Sequence, residues 1–169
     1  VTAFEYRLRS NGIWSAWTST TANPVLLGSL TNGTAYDLEF HALNARGASV
    51  AAAATLTPAG AADAPTITVS SGSKSAVVSY IAPTNTGGTG VVLTGYKISI
   101  DGGATWTAAT LVSGSNLASG TINLTGLTNG ASYPVKLRAV NGFGDGLPST
   151  TATASPVANL PAAPTINSV

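Results

Sequence analysis

The 169-residue chain contains no cysteine and no methionine. Without thiols there are no disulfides, no thiolate nucleophile and no cysteine-type zinc site, so stability has to come from burial. Charge is scarce too: Asp, Glu, Lys and Arg make up 8% of the chain and the formal net charge is +1. No basic footprint for nucleic acid or an anionic membrane can be built from that inventory, and neither partner is expected. His41 is the only histidine, and no serine lies in a G-x-S-x-G setting. A hydrolytic triad therefore has almost nothing to be assembled from. Six acidic residues could supply a glycosidase pair in principle, yet none lies in a cleft-forming insertion. A non-enzymatic protein is expected, with no catalytic residues, no cofactor and no metal.

No apolar run approaches the ~20 residues that cross a bilayer, and no basic stretch followed by an apolar one opens the chain. No membrane insertion by this segment is expected. Lacking an initiating methionine, the chain reads as processed or as a piece of something longer. Helical periodicity is missing as well. The alanine run Ala51 to Ala54 is the one helix-like patch, and its place after a turn-rich loop assigns it to a strand.

What the sequence does have is one corner written twice. LTNGTAY (Leu30 to Tyr36) and LTNGASY (Leu127 to Tyr133) each run into an alternating segment, and their tyrosines are 97 residues apart. After Tyr133, Val135, Leu137 and Ala139 share one face while Lys136 and Arg138 share the other. After Tyr36 the same alternation sets Leu38, Phe40 and Ala42 against Asp37, Glu39 and His41. Period two is a half-buried strand, and its recurrence at this interval indicates tandem copies of a small β domain.

A tyrosine that opens such a strand and can bond back to the preceding turn is the tyrosine corner of immunoglobulin-like sandwiches. Together with AVNGFGDGLPS (Ala139 to Ser149), similar to a strand F, F-G loop and start of strand G, the chain resembles the fibronectin type III family over essentially its whole length. The family's usual strand-B tryptophan is replaced by Tyr80 in SAVVSYIAP. The resemblance implies an all-β fold of tandem fibronectin type III sandwiches, of the kind found in bacterial secreted and surface proteins.

Residues 1–58 read as a partial repeat lacking strands A and B. FEYRLRS (Phe4 to Ser10) is strand C, corresponding to YKISI (Tyr96 to Ile100) with Tyr6 matched to Tyr96; PVLLGSL (Pro24 to Leu30) is strand E with Val25 and Leu27 inward. Residues 59–64 are a linker, 65–156 a complete repeat and 157–163 a second linker. PTINSV at 164–169 copies PTITVS (Pro65 to Ser70) and reads as the first strand of a third repeat. Apolar faces left open by the missing strands are rarely tolerated by a soluble monomer, so either a longer chain or another molecule fills the gap.

Asp37, Glu39 and His41 lie ~6.8 Å apart along one face, too far for all three to ligate one ion easily although two could, and the preferred reading is a solvated strand with Glu39 opposite Arg7 or Arg9. Thr84 to Gly90, glycine-rich but without the lysine of a phosphate loop, is a flexible turn. Trp14, Trp17 and Trp106 cluster at the C-C′ hairpins; exposed, they would stack on sugars or anchor a partner, and packed over the sheet they are core, the preferred reading. The F-G loops add Arg46 and Asp145 to the possible contact surface, but Arg46-Gly47 is followed by Ala48, so the Arg-Gly-Asp tripeptide of some relatives is absent. Asn32 and Asn123 head formal glycosylation sequons, Asn123 being the better acceptor.

Three functions follow as expectations. The first is a structural or spacer repeat of a long extracellular fibre, filament or surface adhesin, its partners being neighbouring repeats or copies of itself. The second is a spacer in a secreted polysaccharide-degrading enzyme. The third is a module binding carbohydrate or a cell-surface protein through the tryptophan hairpins.

Overall fold

The computed structural model describes residues 1–159, and all regular structure among them is β. The strand expected at 164–169 lies outside the described residues. The chain divides into two compact units, Val1–Gly60 with Gly87–Val91, and Ala61–Thr86 with Val92 onwards.

The first unit is one sheet. β1 (Ala3–Ser10) is flanked by β2 (Ile13–Trp14) and β3 (Thr18–Thr20) on one edge and by β4 (Tyr36–Asn44) on the other; β4 in turn carries β5 (Gly47–Ala48) and β6 (Ala52–Leu56). The alternation of β1 and β4 meets in register, with Tyr6 opposite Phe40 and Leu8 opposite Leu38. Phe4 and Phe40 stack with ring centroids 5.2 Å apart. No residue between 1 and 60 is fully buried.

The second unit has two sheets. β7 (Thr66–Gly72), β8 (Ser75–Ile81) and β11 (Ser119–Thr125) form one, in the order β11-β8-β7. The other runs β10 (Thr107–Ala108), β9 (Leu93–Ser99), β12 (Tyr133–Asn141), β13 (Gly144–Pro148), with β14 (Ala152–Ala154) also on β12. Their inward residues form one core: Ala76, Val78, Tyr80 and Ile122 from the first sheet, Tyr96, Ile98, Val135, Leu137 and Ala139 from the second. Burying a Val or Leu side chain stabilises by about 1.5 to 3 kcal/mol, so this cluster dominates the unit's stability. Tyr80 takes the core position expected of it. Its hydroxyl donates to the carbonyl of Asn116 (2.6 Å) and that of Tyr96 to Leu117 (2.7 Å). Burial, and then the neighbouring Tyr80, push the Tyr96 phenol up to about 12.

Both corners close as the sequence predicts. The Thr31 N–H donates to the Tyr36 hydroxyl (3.1 Å) and the Thr128 N–H to the Tyr133 hydroxyl (2.9 Å). Accepting that bond holds the Tyr133 phenol below its usual pKa.

Two sequence expectations are corrected. Pro24 to Leu30 forms no strand. Its counterpart in the second unit is held by β8, and the first unit has no equivalent of β7 or β8 among the described residues. The β1 register is also displaced from the expected match. Ile98 opposite Leu137 corresponds to Tyr6 opposite Phe40, so the equivalent of Tyr96 is Phe4, two residues before Tyr6. Tyrosine identity had suggested the wrong alignment; cross-strand pairing decides it.

Candidate contact surface at the tryptophan hairpins

On the outer face of the first unit, the alternation that turns Phe4, Tyr6 and Leu8 inward turns Glu5, Arg7 and Arg9 outward. Pairing with β4 sets them opposite His41, Glu39 and Asp37. All three cross-strand pairs close: Arg7 Nε to Glu39 Oε2 at 2.7 Å, Arg9 Nε to Asp37 Oδ2 at 2.8 Å, and His41 Nε2 to Glu5 Oε2 at 2.9 Å. Arg7 is the partner that Glu39 takes. Each such pair is worth roughly 0.2 to 1 kcal/mol, and together they leave no carboxylate of this face without a partner.

The tryptophans lie on this polar face and not in the core. Residues three apart would point to opposite faces of a continuous strand. Here β2 stops at Trp14 and β3 starts at Thr18, and the break is pinned by Ser15, whose N–H donates to the Leu8 carbonyl (2.8 Å) and whose hydroxyl accepts the Leu8 N–H (3.1 Å). Both rings therefore reach the arginines. The Arg7 guanidinium lies 4.5 Å from the Trp14 ring and 4.7 Å from that of Trp17, and Arg9 lies 5.1 Å from Trp14. Trp17 stacks on His41 at 4.2 Å. The result is a run Arg9, Trp14, Arg7, Trp17, His41, in which each cation–π contact contributes about 0.5 to 1 kcal/mol.

The second unit uses the same position differently. Thr107 opposite Ile98 matches Thr18 opposite Tyr6, so Trp106 is the equivalent of Trp17. Arg138 takes the place of His41 and lies 4.2 Å from the Trp106 ring. Its Nη2 pairs with Asp145 Oδ2 (2.7 Å), and Lys97, the equivalent of Glu5, pairs with Asp145 Oδ1 (2.9 Å). Where the first unit pairs Glu5 directly with His41, the second has two cations facing each other and recruits an acid from β13.

The hairpin carrying Trp106 is fixed by a residue that sequence reasoning passed over. The Asp101 carboxylate accepts from the Ser99 hydroxyl (2.6 Å), the Thr105 N–H (3.0 Å) and the Thr105 hydroxyl, while the Trp106 indole donates to the Gly103 carbonyl (3.0 Å). The hydrogen bond from Ser99, then those from Thr105, hold the Asp101 carboxyl well below the usual carboxylate range. Gly102 and Gly103, at φ +78° and +104°, supply the left-handed backbone that the turn requires. The available signal was the spacing Ser99, Asp101, Thr105, Trp106, in which short oxygen-bearing side chains flank a Gly-Gly turn.

Of the five expected contact residues, Trp14 and Trp17 come together, Trp106 comes together with Asp145, and Arg46 joins neither group. Arg46 sits at the exposed tip of the β4–β5 hairpin, its N–H donating to Asn44 Oδ1 (2.8 Å). Phe143 makes the same contact with Asn141 Oδ1 at the other tip (2.8 Å).

A surface groove of about 480 Å³ beside Trp14 is lined by Arg9, Asp37, Leu38, Glu39 and Ala53 to Thr55. It holds no nucleophile with a base, and its acids are engaged by arginine. Among the described residues no group of three His, Cys, Asp or Glu could hold a metal ion. The Trp14 and Trp17 rings lie against Arg7, Arg9 and His41. No helix among the described residues is long and apolar enough to cross a membrane.

The two-sheet unit, its closed tyrosine corner and its strand order define an immunoglobulin-like β-sandwich. The profile of the fibronectin type III domain matches residues 63–155, more than half of the chain, and the chain belongs to that family. Among solved structures, the FN1–FN3 domains of chicken CNTN1 are 18% identical, with 93% of this chain and 58% of that one covered at a TM-score of 0.45. A two-domain fibronectin type III segment of chicken tenascin is 20% identical, with 90% and 83% covered at 0.43. Titin kinase with its flanking domains is 21% identical, with 56% and 17% covered at 0.42. The chain thus spans less than two thirds of the CNTN1 fragment and of the titin chain. No curated protein sequence matches it.

Proposed function

We propose that this chain is a non-enzymatic structural or spacer segment of a longer extracellular protein, a fibre, filament or surface adhesin, in which fibronectin type III domains follow one another and meet neighbouring domains or copies of the same chain. The observation that carries this reading is the second unit: a closed sandwich whose core is apolar and whose Lys97, Arg138 and Asp145 serve one another. Such a unit offers stiffness and spacing and leaves no group poised for chemistry. In the first unit the three outward acids are likewise bound to Arg7, Arg9 and His41, which supports a scaffold reading over a sugar-binding one. The family's frequent use as an extracellular spacer supports the location.

The test is the mass of the native polypeptide under denaturing conditions, followed by the sequence on both sides of these residues. A mass far above 16.7 kDa with further β domains on either side is expected. A parent in which the next module is catalytic would replace this reading with that of a spacer in a secreted enzyme.

A further inference from the structure

The outer faces of the two units carry opposite charge at matching positions. In the first, the acids Glu5, Asp37 and Glu39 outnumber Arg7 and Arg9 by one, with His41 counted as neutral. In the second, Lys97, Lys136 and Arg138 outnumber Asp101 and Asp145 by one. We propose that these two faces dock between copies of this chain, the groove beside Trp14 in one copy receiving Lys136 of the next. The proposal rests on the reading of the chain as a scaffold that meets copies of itself, and names the surfaces through which they meet.

The receiving side is the groove of about 480 Å³, which has both Asp37 and Glu39 in its lining. Arg9 places Nε and Nη2 on a single oxygen of Asp37, Oδ2, at 2.8 and 2.6 Å. Arg7 does the same with Oε2 of Glu39, at 2.7 and 2.6 Å. The second oxygen of each carboxylate therefore has no protein partner among the described residues. On the β6 side Ala53 stands opposite Glu39 and Thr55 opposite Asp37, so small side chains leave the approach to those oxygens open. A lysine suits this lining: its methylene stem can lie along the alanine while its ammonium reaches the two free oxygens.

The donating side follows from the same comparison. Lys136 occupies the position of Glu39, but Ser99 stands opposite it where the first unit has Arg7. The Ser99 hydroxyl is spent on Asp101 (2.6 Å), and Lys136 forms no ion pair among the described residues. Lys97 and Arg138 beside it share Asp145, so the face keeps its positive excess. Lys74 and Arg46 also form no ion pair there, yet both lie in hairpin turns and not on a sheet face. Two copies meeting through the same face would bring like charges together; the first face against the second brings opposite ones, which steers encounter and fixes register. Because the two surfaces differ, the contact is heterologous and can repeat from copy to copy, as a filament requires. Exposed ion pairs are individually weak, and repetition along an array supplies the strength.

The experiment is sedimentation of the 169-residue chain from about 10 μM to about 1 mM, in about 20 mM and about 0.5 M salt. Self-association is expected at low salt and should weaken by at least about tenfold at high salt. Lys136→Glu reverses the second face, and Ala53→Lys with Thr55→Lys reverses the first, both at positions that serve no ion pair. Each variant alone should lose at least about tenfold in association, and an equimolar mixture of the two should regain it, which also shows that both are folded. Absence of self-association in the unaltered chain at the highest concentration overturns the proposal. So does association that survives Lys136→Glu, that is lost with Lys74→Glu instead, or that the mixture fails to restore. None of these results bears on the mass of the parent polypeptide, so the scaffold reading stands or falls separately.

Discussion

The two units share a corner, a strand pair and a tryptophan hairpin, yet among the described residues only the second has fully buried core side chains. Phe40 and Leu137 occupy equivalent positions on β4 and β12; Leu137 is fully buried among both sheets, whereas Phe40 is only half-buried beside an open groove. Local pattern therefore suffices to form the β1–β4 and β9–β12 pairs with their outward charges, while burial depends on the sheet that closes over them. The outer faces teach a second lesson. Opposite choices at two positions, Glu5 with His41 against Lys97 with Arg138, are both neutralised, the second by an aspartate that the first does not need, since Ala48 stands where Asp145 would be.

The largest expected effect separates the cores. Leu137→Ala should cost about 2 to 5 kcal/mol in the unfolding of the second unit, and Phe40→Ala under about 1 kcal/mol in the first. Equal losses in chemical denaturation would break the comparison. Next come the corners: Tyr133→Phe and Tyr36→Phe each remove one acceptor and should cost about 0.5 to 1.5 kcal/mol. The effect should be visible as a shifted denaturation midpoint for Tyr133→Phe and as faster local exchange at Thr31 for Tyr36→Phe.

The charge exchange gives a sharper, smaller test. Asp145→Ala leaves Lys97 and Arg138 facing each other and should cost about 1 kcal/mol or less, as these groups are partly exposed. Adding Lys97→Glu rebuilds the arrangement of the first unit and should restore most of the loss, so the double-mutant cycle should show coupling of about 0.5 kcal/mol or more. Strict additivity would mean that the two faces are not alternative solutions to one problem.

The smallest effect concerns acid. The folded Asp101 carboxyl has a lowered pKa, so its contribution to stability is full above the unfolded value of about 4 and is lost as pH falls from there toward the folded value. Asp101→Asn should lower the melting temperature near neutral pH and flatten its decline in that acid window. Parallel curves for the two proteins would remove Asp101 from the hairpin's support.

Much of this was legible in the sequence because it is local. Alternation after Tyr36 and Tyr133 gave the strands and their faces, and the spacing of the corner gave the tyrosine hydrogen bonds. Pro24 to Leu30 misled because its alternation is that of a strand, whereas its counterpart β11 forms one by pairing with β8. Trp14 and Trp17 were expected to pack over the sheet as core, whereas the Ser15 break, a hydrogen-bonding detail, leaves both against the outward arginines. Tyr6 was matched to Tyr96 by residue type, whereas pairing with β4 and β12 aligns Phe4 there. Asp101 was overlooked because its partners are small polar residues of a turn, and such residues look like solvated loop until their distances are known.

The most direct test is native-state hydrogen exchange of the 169-residue chain, comparing the amides of 24–30 with those of Ser119–Thr125. Near-complete protection of the β11 amides, set by global unfolding of the second unit, is expected beside rapid exchange of 24–30. Equal and strong protection of both segments at low protein concentration would contradict the picture of one closed sandwich and one open sheet.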